Sequence, residues 1–237
     1  MFTLRFQQWV RRRAQAVAAW LARLPITPNQ VTVAGMLVVF VAAVLVATGH
    51  LLAAGVVLAF GGSFDILDGA LARVTKRSYP YGAFLDSTTD RYAEAAVYVG
   101  LAAYYVGQPN PRPAVLGVLL AMVGSLTVSY VRARAQSLGF KCDSGLFARP
   151  ERIVATIVGL VIGGWVLFWI IWALAALTNL TALQRVAEVW RQARAQRQQA
   201  ATAVAAPAEA APAEVVPQTP SRPPRTAKQK LAPNRLS

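Results

Sequence analysis

Four of the chain's five aspartates fall in one stretch, at positions 65, 68, 86 and 90, while residues 1–64 contain no acid at all. Asp65 and Asp68 stand three apart and Asp86 and Asp90 four apart, so on helices each pair projects from one face. Two such faces meeting across a turn gather four carboxylates around one small volume. Carboxylates beside long apolar runs are costly to bury unless something neutralises them. Hard divalent cations are held by oxygen donors of this kind, and Mg²⁺ typically takes carboxylates together with substrate phosphates. The residues between the pairs suit a phosphate. Gly69 removes a side chain directly beside Asp68, Ala72 keeps that face open one turn on, and the permanent charge of Arg73 pairs with phosphate oxygens. A solvated charged loop between two helices is the plain alternative, and it leaves the concentration of acids unexplained.

The elements that must position these residues follow from composition. The chain is 56% hydrophobic with a mean hydropathy of +0.43, as in a polytopic membrane protein rather than a soluble domain. Residues 24–64 form a run of 41 without a charge, which at about 20 residues per crossing makes two spanning helices. They join near Thr48, Gly49 and His50, the sole histidine, which reads as a solvated loop residue. The second helix delivers Asp65 and Asp68 at its end. A loop over residues 75–81 turns the chain, and a third helix from near Gly82 carries Asp86 and Asp90 and continues through Tyr105. After the proline-rich turn 107–113 comes a fourth helix over about 114–138. The uncharged stretch 153–184, interrupted by Gly159, Gly163 and Gly164, supplies a shorter fifth helix and a sixth. Five spans are possible, and six are favoured.

Charge placement orients this all-α bundle. With six spans and both termini inside, Arg112 alone falls in the outer turns, and the positive-inside rule puts the acidic stretch on the cytoplasmic side of the cell membrane. The net charge of +14 therefore reads as anchoring and contact with anionic membrane lipids, with no nucleic-acid partner. Residues 1–23 interleave Arg5, Arg11, Arg12, Arg13 and Arg23 with Phe2, Phe6, Trp9 and Trp20, the pattern of an amphipathic interfacial helix. A transit peptide shares that composition; a cleaved signal peptide does not fit the order of charges. Pro25 and Pro28 stop this helix, and Asn29 can cap the next one. The transmembrane domain is expected over 24–195. Residues 196–237, rich in Ala, Gln, Pro and Arg, form a tail expected to be disordered and basic, either solubilising or attracted to lipid. Cys142, the only cysteine, excludes an intrachain disulfide and has no partner residues for a metal site.

Written as a pattern, residues 65–90 read D-x2-D-G-x2-A-R-x8-G-x3-D-x3-D, with Asp65, Asp68, Gly69, Ala72, Arg73, Gly82, Asp86 and Asp90 all in place. This resembles the signature of the CDP-alcohol phosphotransferase family at each of its eight fixed positions. The resemblance implies transfer of a phosphatidyl group from a CDP-linked lipid to an alcohol, with release of CMP. It implies Mg²⁺, with Mn²⁺ as the other candidate, held by Asp65, Asp68, Asp86 and Asp90, and Asp90 as general base. It sets Asn29, Gln30, Val31 and Thr32 against the cytidine, and Gly69 and Arg73 against the nucleotide phosphates. Tyr79 stands where relatives often carry a small hydroxyl residue three before the second glycine, so its contact with the donor is less fixed.

The acceptor is read from SYVRARAQSLG, residues 129–139, and RPER, residues 149–152. Arg132, Arg134, Lys141, Arg149 and Arg152 facing the acids invite an anionic alcohol, although positive-inside anchoring gathers arginines too. These stretches resemble the phosphatidylinositol phosphate and archaetidylinositol phosphate synthases of the family. The resemblance implies inositol phosphate as acceptor, gripped by Arg132, Arg134 and Arg152. Glycerol 3-phosphate is the alternative acceptor within the class, and a divalent-cation transport path is the alternative outside it. The expected partners are CDP-diacylglycerol, a phosphorylated alcohol and membrane lipid, and the expected assembly is a homodimer.

Overall fold

The computed structural model describes residues 13, 15–77, 79–142 and 148–205, which contain helices and connecting turns and no strand. After a helical segment at 15–21 come α1 (Pro28–Ala47), α2 (Leu51–Val74), α3 (Pro80–Val106), α4 (Pro111–Ser137), α5 (Arg149–Ile162) and α6 (Gly164–Ala205). The rest of the expected interfacial helix, Ser78, residues 143–147 and the tail from 206 lie outside the described residues. The chain divides into two compact units, Met1–Ala195 and Gln196–Ser237, and the candidate site lies in the first.

Helix starts are written locally. A proline occupies the first turn of α1, α3, α4 and α5, where its missing N–H costs nothing. At α1 the Thr27 hydroxyl accepts from the Gln30 backbone N–H at 3.3 Å, and the Gln30 side chain accepts from the Thr27 N–H at 2.8 Å. Between α5 and α6, Gly163 and Gly164 both take positive φ, 71° and 54°, so one helix ends and the next begins without a loop.

Helices α1, α2, α4 and α6 are long and apolar enough to cross a bilayer, which makes the chain a multi-pass membrane protein. The other two depart from that pattern for physical reasons. Helix α3 has 27 residues but carries Asp86, Asp90, Arg91 and Glu94. Helix α5 has only 14, a rise of about 21 Å against a hydrocarbon core of about 30 Å. Both are held by neighbours: α3 packs on α1 and α4, and α5 on α2. In lipid, apolar contact between helices gains little over lipid contact, so close approach by small residues carries the packing. At Gly100 a Cβ would fall 2.4 Å from the Ala43 carbonyl oxygen, so only glycine permits the α1–α3 contact. Ala18, fully buried against Val31, Ala70 and Leu71, ties the N-terminal helix to the end of the bundle where α2 turns into α3.

Three element boundaries differ from expectation. Helices α3 and α4 begin at their prolines, earlier than expected at Gly82 and 114. Helix α6 continues through Ala205, so residues 196–205 are helical rather than disordered. That stretch is dominated by Ala, Gln and Arg, whose helix propensity sustains the helix after its apolar face has ended.

Candidate active site

The last turns of α2 and the first turns of α3 face one another across the turn that begins at Thr75. One carboxylate oxygen from each of Asp65, Asp86 and Asp90 lies within 4.8 Å of the others. Asp68 stands apart from this trio. It is buried, and its Oδ2 accepts from the Thr32 hydroxyl at 2.6 Å. Asp68 instead walls a cavity of about 230 Å³ together with Asn29, Thr32, Gly69, Arg73, Tyr79, Gly82 and Asp86. Gln30 and Val31 do not line this cavity. Gln30 is committed to the cap of α1 and Val31 to the apolar cluster beneath Ala18. Three positions apart on a helix share a face, so Asn29 and Thr32 point inward together and the two residues between them point elsewhere. A Cβ at Gly69 would come no nearer to the rest of the described protein than 3.6 Å, at Arg73 Nη1. Helix packing does not need that glycine; the cavity's volume does.

On the other side of the trio lies a second cavity of about 370 Å³, lined by Asp86, Asp90, Glu94, Arg132, Arg149, Arg152 and Arg185. Asp86 is common to both cavities. Arg134 is not in this set. It is exposed and donates to Ser137 Oγ at 3.5 Å on its own helix. Residues two apart lie roughly 200° apart around a helix, so Arg132 and Arg134 cannot both face inward. Arg185 of α6 lines this cavity instead. It is buried, and its Nη1 donates to the Val128 carbonyl at 2.9 Å. In the sequence a single arginine after a long apolar run looks like any membrane anchor, so nothing marked it.

Two acid–arginine rungs hold α5 against α2 and α3. Arg149 Nη1 donates to Asp65 Oδ2 at 2.6 Å, and its Nη2 lies 2.6 Å from Asp90 Oδ1. One turn deeper, Arg152 donates from Nε to Glu94 Oε1 at 2.7 Å and from Nη2 to Glu94 Oε2 at 3.0 Å. Ser125 of α4 adds a hydrogen bond to Glu94 Oε1 at 2.5 Å. The Arg152 side chain is 2% exposed and that of Glu94 10%, so this rung is a buried bidentate ion pair. Glu94 was legible as a member of the site: 86, 90 and 94 continue one face of α3 at four-residue spacing.

The donor set fits a hard divalent cation. Asp65, Asp86 and Asp90 offer three carboxylates at one point, all partly accessible, and no soft or nitrogen ligand joins them among the described residues. Against their three negative charges Arg149 supplies one positive, so two remain for a divalent ion to match.

Comparison with known proteins agrees. The sequence profile of the CDP-alcohol phosphatidyltransferase family matches residues 25–183. The phosphatidylinositol phosphate synthase of Corynebacterium glutamicum is 38% identical over 152 residues, covering 63% of this chain and 69% of that protein. The archaetidylinositol phosphate synthase of Methanothermobacter thermautotrophicus is 37% identical over 158 residues, 67% of this chain and 76% of that one. Among solved structures, the phosphatidylinositol phosphate synthase of Mycobacterium tuberculosis with CDP-DAG bound superposes with a TM-score of 0.72 at 34% identity. That match covers 76% of this chain and 94% of the other. The same mycobacterial protein in complex with manganese and citrate gives 0.72 at 34% identity, over 75% and 88% of the two chains. With the profile covering more than half of its length and the acidic signature assembled at one point, the chain is an enzyme of the CDP-alcohol phosphatidyltransferase family.

Proposed function

We propose that the enzyme transfers the phosphatidyl group of CDP-diacylglycerol to inositol phosphate and releases CMP. The observation that carries this reading is the pair of cavities of different character that meet at Asp86. One combines carboxylates with Arg73, Asn29 and an open glycine, as a nucleotide diphosphate requires. The other is lined by five arginines and suits an alcohol that itself carries a phosphate. The names of the relatives, and the CDP-DAG held by the mycobacterial neighbour, support the same pairing.

In this reading Asp65, Asp86 and Asp90 hold Mg²⁺, with Mn²⁺ as the alternative, and Asp68 faces the diphosphate beside them. When bound, the cation neutralises the diphosphate and the CMP that leaves. Arg73 pairs with a nucleotide phosphate above Gly69, while Asn29 and Thr32 meet the cytidine end and Tyr79 forms the rim. Arg132, Arg152 and Arg185 hold the acceptor phosphate. The acceptor oxygen forms the new bond to the lipid-side phosphorus, the bond to CMP breaks, and Asp90 takes the hydroxyl proton.

CMP release by purified protein from CDP-diacylglycerol, measured against a panel of alcohols, tests the assignment. Inositol phosphate should be the best acceptor, with unphosphorylated inositol at least about tenfold poorer in kcat/KM for want of one charge-assisted contact. Efficient use of glycerol 3-phosphate with inositol phosphate ignored overturns the acceptor, and no CMP release with any alcohol favours cation transport. The homodimer is checked in the same preparation by cross-linking in detergent.

Six crossings with the site facing the cytoplasm complete the proposal, supported by the basic loops at the site's end of the bundle and the nearly uncharged opposite turns. In a Cys142→Ala background, single cysteines at 50 and 112 should react with an impermeant reagent from outside. A cysteine at 76 should react only after permeabilisation, and its labelling in intact cells reverses the orientation.

A further inference from the structure

Arg149 does more than hold α5 in place. Its guanidinium bridges Asp65 and Asp90, 2.6 Å from each, between two of the three carboxylates that converge on one point. Its third nitrogen, Nε, is buried and has no hydrogen-bond partner among the described residues. A buried donor left unmet is costly, so the side chain sits where the carboxylates pull it rather than where all its donors are satisfied. It also borders the arginine-lined cavity, beside Asp90 and Arg152. A cation drawn to the point where the three carboxylates converge competes with the guanidinium for the charge of Asp65 and Asp90.

We propose that Arg149 is the built-in counter-ion of the acidic cluster, and that a divalent cation entering the site displaces its guanidinium from Asp65 toward the arginine-lined cavity. The inference rests on the reading of Asp65, Asp86 and Asp90 as the cation's ligands. Before the cation arrives, Arg149 lowers the repulsion among three close carboxylates and keeps the helices assembled. Afterwards the Nη1 edge leaves Asp65 and faces the cavity where the acceptor phosphate enters. Cation loading therefore precedes capture of the acceptor phosphate. Arg149 is a positioning residue whose two partners are used in turn.

Direct Mn²⁺ binding to the purified protein in detergent, followed by the loss of the free-ion electron paramagnetic resonance signal, tests this without relying on turnover. Arg149→Ala should tighten Mn²⁺ binding by about fivefold or more, the lower end of couplings between competing sites. It should also lower the thermal midpoint in EDTA and regain most of that loss at saturating Mn²⁺. Arg91→Gln provides the charge control: Arg91 borders the same cavity but donates to the Ser87 carbonyl rather than to a carboxylate. Equal tightening by Arg91→Gln and Arg149→Ala overturns the proposal, because net charge alone then explains the effect. Unchanged affinity in Arg149→Ala overturns it too, while loss of binding in Asp65→Asn would still uphold the metal site. Absence of Mn²⁺ binding by the wild type removes the metal reading and the proposal together. Should Arg149→Ala fail to fold, modification of wild-type Arg149 by phenylglyoxal decides. Reactivity located by mass spectrometry should rise several-fold on adding Mn²⁺, and protection unchanged by Mn²⁺ overturns the displacement.

Discussion

Asp90→Asn should cut turnover by about 10² to 10⁴ while leaving the affinity for CDP-diacylglycerol within a few-fold, the range of a lost general base. The two cavities give the reason. Asp90 borders the arginine-lined cavity and not the one with Asn29, Gly69 and Arg73, so its loss takes no side chain from the wall of the donor cavity and leaves Asp65 and Asp86 for the cation. Asp86 borders both. Asp86→Asn should therefore abolish CMP release and also weaken both donor and cation binding. Asp65→Asn should abolish release through the cation alone, and excess EDTA should reproduce that loss in the wild type. Rapid-quench turnover alongside equilibrium binding of CDP-diacylglycerol separates these outcomes. If donor binding collapses in Asp90→Asn as it does in Asp86→Asn, Asp90 is chiefly a ligand and the proton goes elsewhere. Full activity in Asp65→Asn would sink the metal assignment.

The parts of this site legible in the sequence are those fixed by local rules. Prolines at 28, 80, 111 and 150 stand in the first turns of four helices because only that turn tolerates a missing N–H, although 80 and 111 read in the sequence as loop and turn. The uncharged run 24–64 announces two spans because lipid excludes charge. Asp86 and Asp90 come together because four-residue spacing means one helix face, whatever the surrounding fold. What was not legible depends on how helices rotate and on which partner each polar atom finds. Asp68 belongs to the acidic signature, yet it hydrogen-bonds to Thr32 on another helix and leaves the trio to Asp65, Asp86 and Asp90. Arg132 and Arg134 look equivalent as a charge cluster, but the rotation of α4 brings only the first into the cavity. Arg185 arrives from α6, with no local pattern to announce it. Glu94 was within reach of the periodicity, since it extends the line of Asp86 and Asp90.

The Glu94–Arg152 rung then separates what holds the bundle from what binds the acceptor. Either single change, Arg152→Met or Glu94→Gln, leaves one buried charge uncompensated and should destabilise the fold by roughly 3–5 kcal/mol. The Met/Gln double variant removes both charges, and replacing a buried pair by neutral groups of similar size is often nearly neutral in stability. Its thermal midpoint in detergent should therefore recover most of the loss. Acceptor binding should not recover. Arg152 borders the cavity with Arg132 and Arg185, and a phosphate that loses one charge-assisted hydrogen bond loses about 1.5–3 kcal/mol. That corresponds to an inositol phosphate KM raised about ten- to a hundredfold, with the KM for CDP-diacylglycerol little changed. Recovery of both stability and acceptor KM in the double variant would make Arg152 a structural strut. The acceptor phosphate would then fall to Arg132 and Arg185, which border the same cavity from α4 and α6.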